Sequence, residues 1–211
     1  MSVLAAASDG WAALVDLVLP AGCAGCRAGR VPLRFGVCGE CEAAVVSLVP
    51  HPVRPVPAPP GLPPCAALGG YEGVLRELLL AYKERGRHGL AGPLGALLAE
   101  VVAAFGEAPV LLVPVPDTAQ AARHRHGDHV ARLARRAAAA AQSFRVRPGR
   151  AAQLRSLTRS GTAQVVVVDD IVTTGATAAA VTAQLAEAGV AVRGVAVLGA
   201  TARRIGHSNR G

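Results

Sequence analysis

The sequence predicts an α/β fold, a mainly parallel sheet flanked by helices, with a small four-cysteine module in front of it. Three observations carry this. Apolar runs of strand length, Val110–Val115, Gln164–Val168 and Val190–Leu198, alternate with stretches of helical period. Continuous apolar strands separated by helices belong to a parallel sheet covered on both faces. Cys23-Ala-Gly-Cys26 and Cys38-Gly-Glu-Cys41 stand eleven residues apart, and a proline-rich stretch separates them from the α/β part.

With 211 residues, 52% hydrophobic and 17% charged, the chain can bury one domain and an appendage. Its net charge of +8 comes from 21 arginines and a single lysine, Lys83, against 14 acids. Such an excess favours anionic partners: phosphorylated small molecules, nucleic acid or acidic lipid. The apolar run Trp11–Leu19 is interrupted by Asp16 and bounded by Pro20, short of the ~20 residues a spanning helix needs. No basic residue precedes it, as a signal peptide would require. A soluble cytoplasmic protein without membrane insertion is therefore expected, in a compartment where structural disulfides are rare.

In order, residues 1–20 carry Leu4, Trp11, Leu14, Val15 and Val18 at the spacing of an amphipathic helix, with Ser8 or Asp9 as N-cap. Residues 21–49 form the cysteine module. Residues 50–64 hold eight of the 15 prolines, a composition that rejects helix and central strand and reads as an extended linker. Residues 65–211 form the α/β domain. There Glu72–Tyr82, Leu90–Phe105, Thr118–Ala141 and Gly175–Glu187 have helical patterns, and Phe144–Arg147 suits a short strand.

Two C-x-x-C pairs, with Gly25 and Gly39 inside them, form knuckles that present four thiolates to one tetrahedral ion. Cys23, Cys26, Cys38 and Cys41 are thus expected to hold one structural Zn2+ per chain, since four thiolates leave no open position for chemistry. A redox pair would need one motif beside a βαβ unit. Cys65, alone, reads as a small core residue.

The strand Val165–Val168 is expected to throw Asp169 and Asp170 out at its carboxyl end, where ligands of such sheets bind. Thr173, Thr174, Gly175, Ala176 and Thr177 then turn into a helix, whose free N–H groups and neighbouring hydroxyls suit a phosphate. Two carboxylates suit sugar hydroxyls or hydrated magnesium. A receiver domain would need an aspartate on a later strand, and none follows Asp170. Neither a Gly-Lys-Ser/Thr loop nor G-x-G-x-x-G is present.

The string VVVVDDIVTTGAT resembles the phosphoribosyl pyrophosphate (PRPP) signature of type I phosphoribosyltransferases. LVDLVLPAGCAGC with CGEC, YEGVLRELLLAYKERGR and LLVPVPD with the arginines behind it resemble, in the same order, the ComF-type competence proteins. Those join a zinc knuckle to a phosphoribosyltransferase domain. The resemblance implies a type I phosphoribosyltransferase-like sheet in which Asp169 and Asp170 hold the ribose hydroxyls and Thr173–Thr177 bind the 5-phosphate. It places Val115, Pro116, Asp117 and Thr118 against the pyrophosphate, with Arg123 or Arg125 as its basic partner and Lys83 as a further family position. PRPP, or another phosphorylated ribose, would bind with Mg2+.

The implied activity is transfer of the phosphoribosyl group to an acceptor. Thr173 stands where purine-salvage relatives carry an acid, which argues against 6-oxopurine acceptors. The stretch between Arg136 and Gln164 is shorter than the family's usual connection. That favours an alternative: a non-catalytic PRPP-binding module acting in DNA uptake or repair through DNA or a DNA-processing protein. Ten arginines and one acid, Asp128, lie between Arg123 and Arg159, but only Phe144 could stack on a base there.

Overall fold

Val165, Val166, Val167 and Val168 are all completely shielded from solvent, which a strand achieves only between two apolar layers. The computed structural model describes residues 22–106, 110–116, 128–141, 144–146 and 164–201. The expected helix in residues 1–20 lies outside them.

Among the described residues six strands form one sheet: β1 (His51–Val53), β2 (Cys65–Gly70), β3 (Val110–Pro114), β4 (Phe144–Val146), β5 (Gln164–Val172) and β6 (Val192–Ala200). Their spatial order is β1-β2-β6-β5-β3-β4. The last five are mutually parallel, and β1 adds antiparallel to β2 at the edge. The helices are α1 (Gly39–Val46), α2 (Gly73–Glu84), α3 (Ala91–Ala103), α4 (His129–Ala141) and α5 (Ala176–Glu187). This is the α/β architecture expected, flanking helices and leading cysteine cluster included.

The alternating valines of β5 divide the interior. Val166 and Val168 join Leu75, Leu79, Leu98 and Leu133 beneath α2, α3 and α4. Val165 and Val167 join Leu62, Ala178 and Leu185 beneath α5 and the proline-rich segment. The first of these cores also contains Cys23, Cys38, Cys41 and Val45, so the cysteine module packs on the same interior as the sheet.

Several bounds differ from expectation. The helix expected over Leu90–Phe105 starts as a 3-10 turn, His88–Leu90, and continues as α3. Of the expected helix Thr118–Ala141, only residues 128–141 are described, and α4 starts at His129 with Asp128 Oδ1 accepting the Ala131 N–H at 2.8 Å. Strand β5 runs four residues past Val168, because Asp169, Ile171 and Val172 continue the ladder with Val197, Gly199 and Ala200.

Strand β2, Cys-Ala-Ala-Leu-Gly-Gly, carries no β-branched residue and was not expected. Its small residues are packing requirements: a Cβ on Gly69 would lie 3.2 Å from Leu48, and one on its partner Gly199 would lie 3.3 Å from Tyr71. Close approach of α2 and the module to the sheet replaces β-propensity there. Among the described residues no helix is long and apolar enough to cross a membrane.

Candidate metal centre and ligand site

The chain following Gly22 folds back in tight turns, with Cys23 N–H donating to the Ala28 carbonyl and Ala24 N–H to that of Gly36. Left-handed backbone at Arg27, Arg30, Phe35 and Gly36 makes these reversals. Helix α1 then supplies Cys41 from its first turn, directly after Cys38. The four sulfur atoms all lie within 4.8 Å of one another, and those of Cys26 and Cys38 are 3.7 Å apart. Metal–sulfur bonds of about 2.3 Å in a tetrahedron require sulfurs about 3.8 Å apart, so the set fits a tetrahedral ion.

Backbone N–H groups of Gly25 and Cys38 point at Cys23 Sγ, at 3.4 and 3.3 Å. Burial raises the Cys23 thiol, but hydrogen bonding from the backbone of Cys38, Cys26 and Gly25 outweighs it and brings it down to about 6. Burial dominates at Cys41 and pushes its thiol up. Three of the cysteines are buried and Cys26 is exposed. Gly25 has no room for a side chain: a Cβ would sit 2.8 Å from Cys41 Sγ and 3.0 Å from Val74 of α2. Arg27 pairs with Glu77 of α2 at 3.1 Å, and Arg87 donates to the Gly22 carbonyl at 2.8 Å. The module is thus clamped to α2 by packing and by polar contacts.

The second cluster lies at the carboxyl end of β5. Because Asp169 and Asp170 remain within the strand, they point to opposite faces. Asp169 is half-buried and lines a cleft with Thr173, Thr174, Gly175, Ala176 and Thr177. Asp170 is 3% exposed. Its Oδ2 receives Lys83 Nζ at 2.7 Å and His129 Nε2 at 2.8 Å. The expectation that both acids project together beyond the strand is corrected: one faces the threonine loop, the other is enclosed between α2 and α4. Lys83 likewise faces Asp170, not the threonine loop.

Gly175, with φ +76°, is the turn into α5. A Cβ there would meet Leu62 at 2.9 Å and Pro55 at 3.3 Å, so the proline-rich segment closes over the back of the loop. Thr174 Oγ1 accepts the Ala176 N–H at 3.3 Å, and Thr173, Thr174 and Thr177 are exposed. Three exposed threonines thus stand at the N-terminus of α5, a donor set that suits an anion. The Val115 N–H donates to the Val168 carbonyl at 2.9 Å, which sets exposed Pro116 just past the strand that flanks β5, level with the start of the acidic pair. Asp117, Thr118, Arg123 and Arg125 lie outside the described residues.

Burial, then the negative charge of Asp170, raises the Asp169 carboxyl to about 8. At Asp170 burial acts in the same direction, but the hydrogen bond from His129 and the charge of Lys83 outweigh it and hold the group below the usual carboxylate range. Tyr82, beside Lys83, donates to the His129 carbonyl at 2.9 Å, and burial pushes its phenol up to about 12.

No family model and no curated protein matches the chain. His129 and Tyr82 were not singled out in the sequence. His129 carries one weak signal, its place directly after the capping Asp128, and nothing in its spacing connects it to Asp170.

Proposed function

We propose that the chain is a ComF-like, phosphoribosyltransferase-type protein that binds PRPP with Mg2+ and transfers its phosphoribosyl group to an acceptor. One observation supports this most: Asp169 lines the same cleft as the exposed hydroxyls of Thr173, Thr174 and Thr177 at the start of α5. An acidic side chain for ribose hydroxyls and a threonine-glycine turn for a 5-phosphate are the two halves of a site for one ligand. Pyrophosphate would leave toward Val115 and Pro116, where the neighbouring strand ends beside β5.

Magnesium arriving with PRPP would neutralise charge on the departing pyrophosphate. The chain's own contribution is positional: Thr174 and the α5 N–H groups fix the phosphate, and Asp169 orients the ribose. The cysteine cluster would hold zinc in a structural role, because four sulfur donors with no oxygen or nitrogen ligand form a closed site.

The test mixes protein, Mg2+ and PRPP with a panel of nucleobases and follows pyrophosphate release beside calorimetric binding. The expected result is PRPP binding that Asp169→Asn weakens by about tenfold or more, with release stimulated by one acceptor class. Binding without release from any acceptor would favour the alternative, a non-catalytic PRPP-responsive module that works through DNA or a protein partner. Absence of binding would overturn both.

A further inference from the structure

Asp170 is left without a task by the ligand reading, since its carboxylate faces away from the threonine loop. We propose that Lys83 and His129 are positioning residues that lock Asp170 between α2, α4 and β5, so that Asp169 alone of the acidic pair meets the ligand. What Asp169 meets rests on the PRPP reading above; the lock itself does not.

Four contacts close a ring. Lys83 and His129 converge on Asp170 Oδ2 at 2.7 and 2.8 Å. Tyr82, next to Lys83 on α2, donates to the backbone carbonyl of His129 on α4 at 2.9 Å. The Tyr82 and His129 rings also meet edge-on, their centroids 6.2 Å apart. The ring therefore joins two helices to the sheet at the level of the ligand loop.

A buried ion pair adds little stability over an apolar packing of the same shape, whereas its geometry is restrictive. The geometry has a direct outlet, because the Asp170 N–H donates to Asp169 Oδ1 at 2.8 Å. Holding Asp170 in place thus aims the carboxyl group of its neighbour into the cleft.

Electrostatics follow the same connection. Among the described residues, Lys83 from α2 and His129 from α4 are directed at Asp170, and the two acids are neighbours on β5 with their side chains on opposite faces. Strand β6 contributes Val197 opposite Asp169, and the α5 turn contributes threonines. The positive charge of Lys83 lowers the Asp169 carboxyl against the upward effects of burial and of Asp170. Removing Lys83 therefore displaces the ionisation of Asp169 to higher pH, which loss of packing alone would not do.

The experiment is calorimetric titration of the full chain with PRPP and Mg2+ from acid to alkaline pH. In Lys83→Met, affinity falls by about tenfold and the midpoint of its pH dependence moves upward. His129→Gln, which keeps an N–H donor, stays closer to wild type than His129→Leu. Asp170→Asn, whose amide oxygen can still accept both hydrogen bonds, loses less affinity than Asp170→Leu. A midpoint unmoved by Lys83→Met, or an Asp170→Asn defect as large as that of Asp169→Asn, overturns the proposal.

Should wild type bind no PRPP, the ligand reading fails and the lock is judged by ligand-free unfolding. Non-additive losses for Lys83→Met and Asp170→Leu in a double-mutant cycle sustain it, and additive losses overturn it.

Discussion

Asp169 and Asp170 are chemically identical neighbours with opposite electrostatic fates, and the pH dependence of stability follows from the difference. The Asp169 carboxyl is raised from 3.8 to about 8 in the folded chain. Between those values the native state holds a proton that the unfolded chain has released, so stability falls as pH rises through that window. Asp170 is depressed, so its contribution is present above its unfolded value and is lost only as pH falls below it. The ligand-free protein is therefore expected to unfold at a higher temperature at mildly acid than at mildly alkaline pH. Asp169→Asn should flatten that difference in a thermal scan. Gly175→Ala is a second expectation at this scale. It combines a φ of +76° with a Cβ 2.9 Å from Leu62, and should cost about 1–3 kcal/mol in denaturant unfolding.

At the scale of elements, those written in β-branched or helix-periodic residues were legible and those written in small residues were not. The valines of β5 announced a doubly covered strand, and Cys23, Cys26, Cys38 and Cys41 announced a cluster whose sulfurs do converge. Strand β2 carries no such signal because its Gly69 serves the close approach of Leu48 and of Leu75 on α2. The extension of β5 through Asp170 was hidden as well. Carboxylates disfavour a strand unless partners elsewhere neutralise them, and Lys83 and His129 are remote in sequence. The threonine loop was legible because its glycine and hydroxyls are local chemistry. A test at this scale uses helices α3 and α4, which approach closely at Gly95, where a Cβ would run into Arg136 and the backbone of Ala137. Gly95→Val should lower stability by about 2 kcal/mol or more, measured in denaturant, with the metal content unchanged.

For the molecule as a whole, the cysteine module and the helical face of the sheet share one core, with Arg27–Glu77 and Arg87–Gly22 as polar ties. Metal loss should therefore be felt throughout the chain. Elemental analysis of protein purified without chelator is expected to give about one zinc per chain. Stripping it, or replacing Cys41 by serine, should lower the unfolding temperature of the sheet itself rather than melt a separate small unit. A scan with one transition, displaced downward, meets this expectation; an unchanged main transition refutes it.

Strand β1 has a consequence at the same scale. A parallel sheet ending at β2 would offer a bare row of amide and carbonyl groups to any passing chain. Instead three residues, His51–Val53, cover part of that row in the opposite direction, with Pro52 among them and Pro50 and Pro55 on either side. A proline has no N–H to offer a further strand, and so short a ribbon gives little length to copy. The segment between the module and the sheet thus blunts this edge against pairing with a further strand.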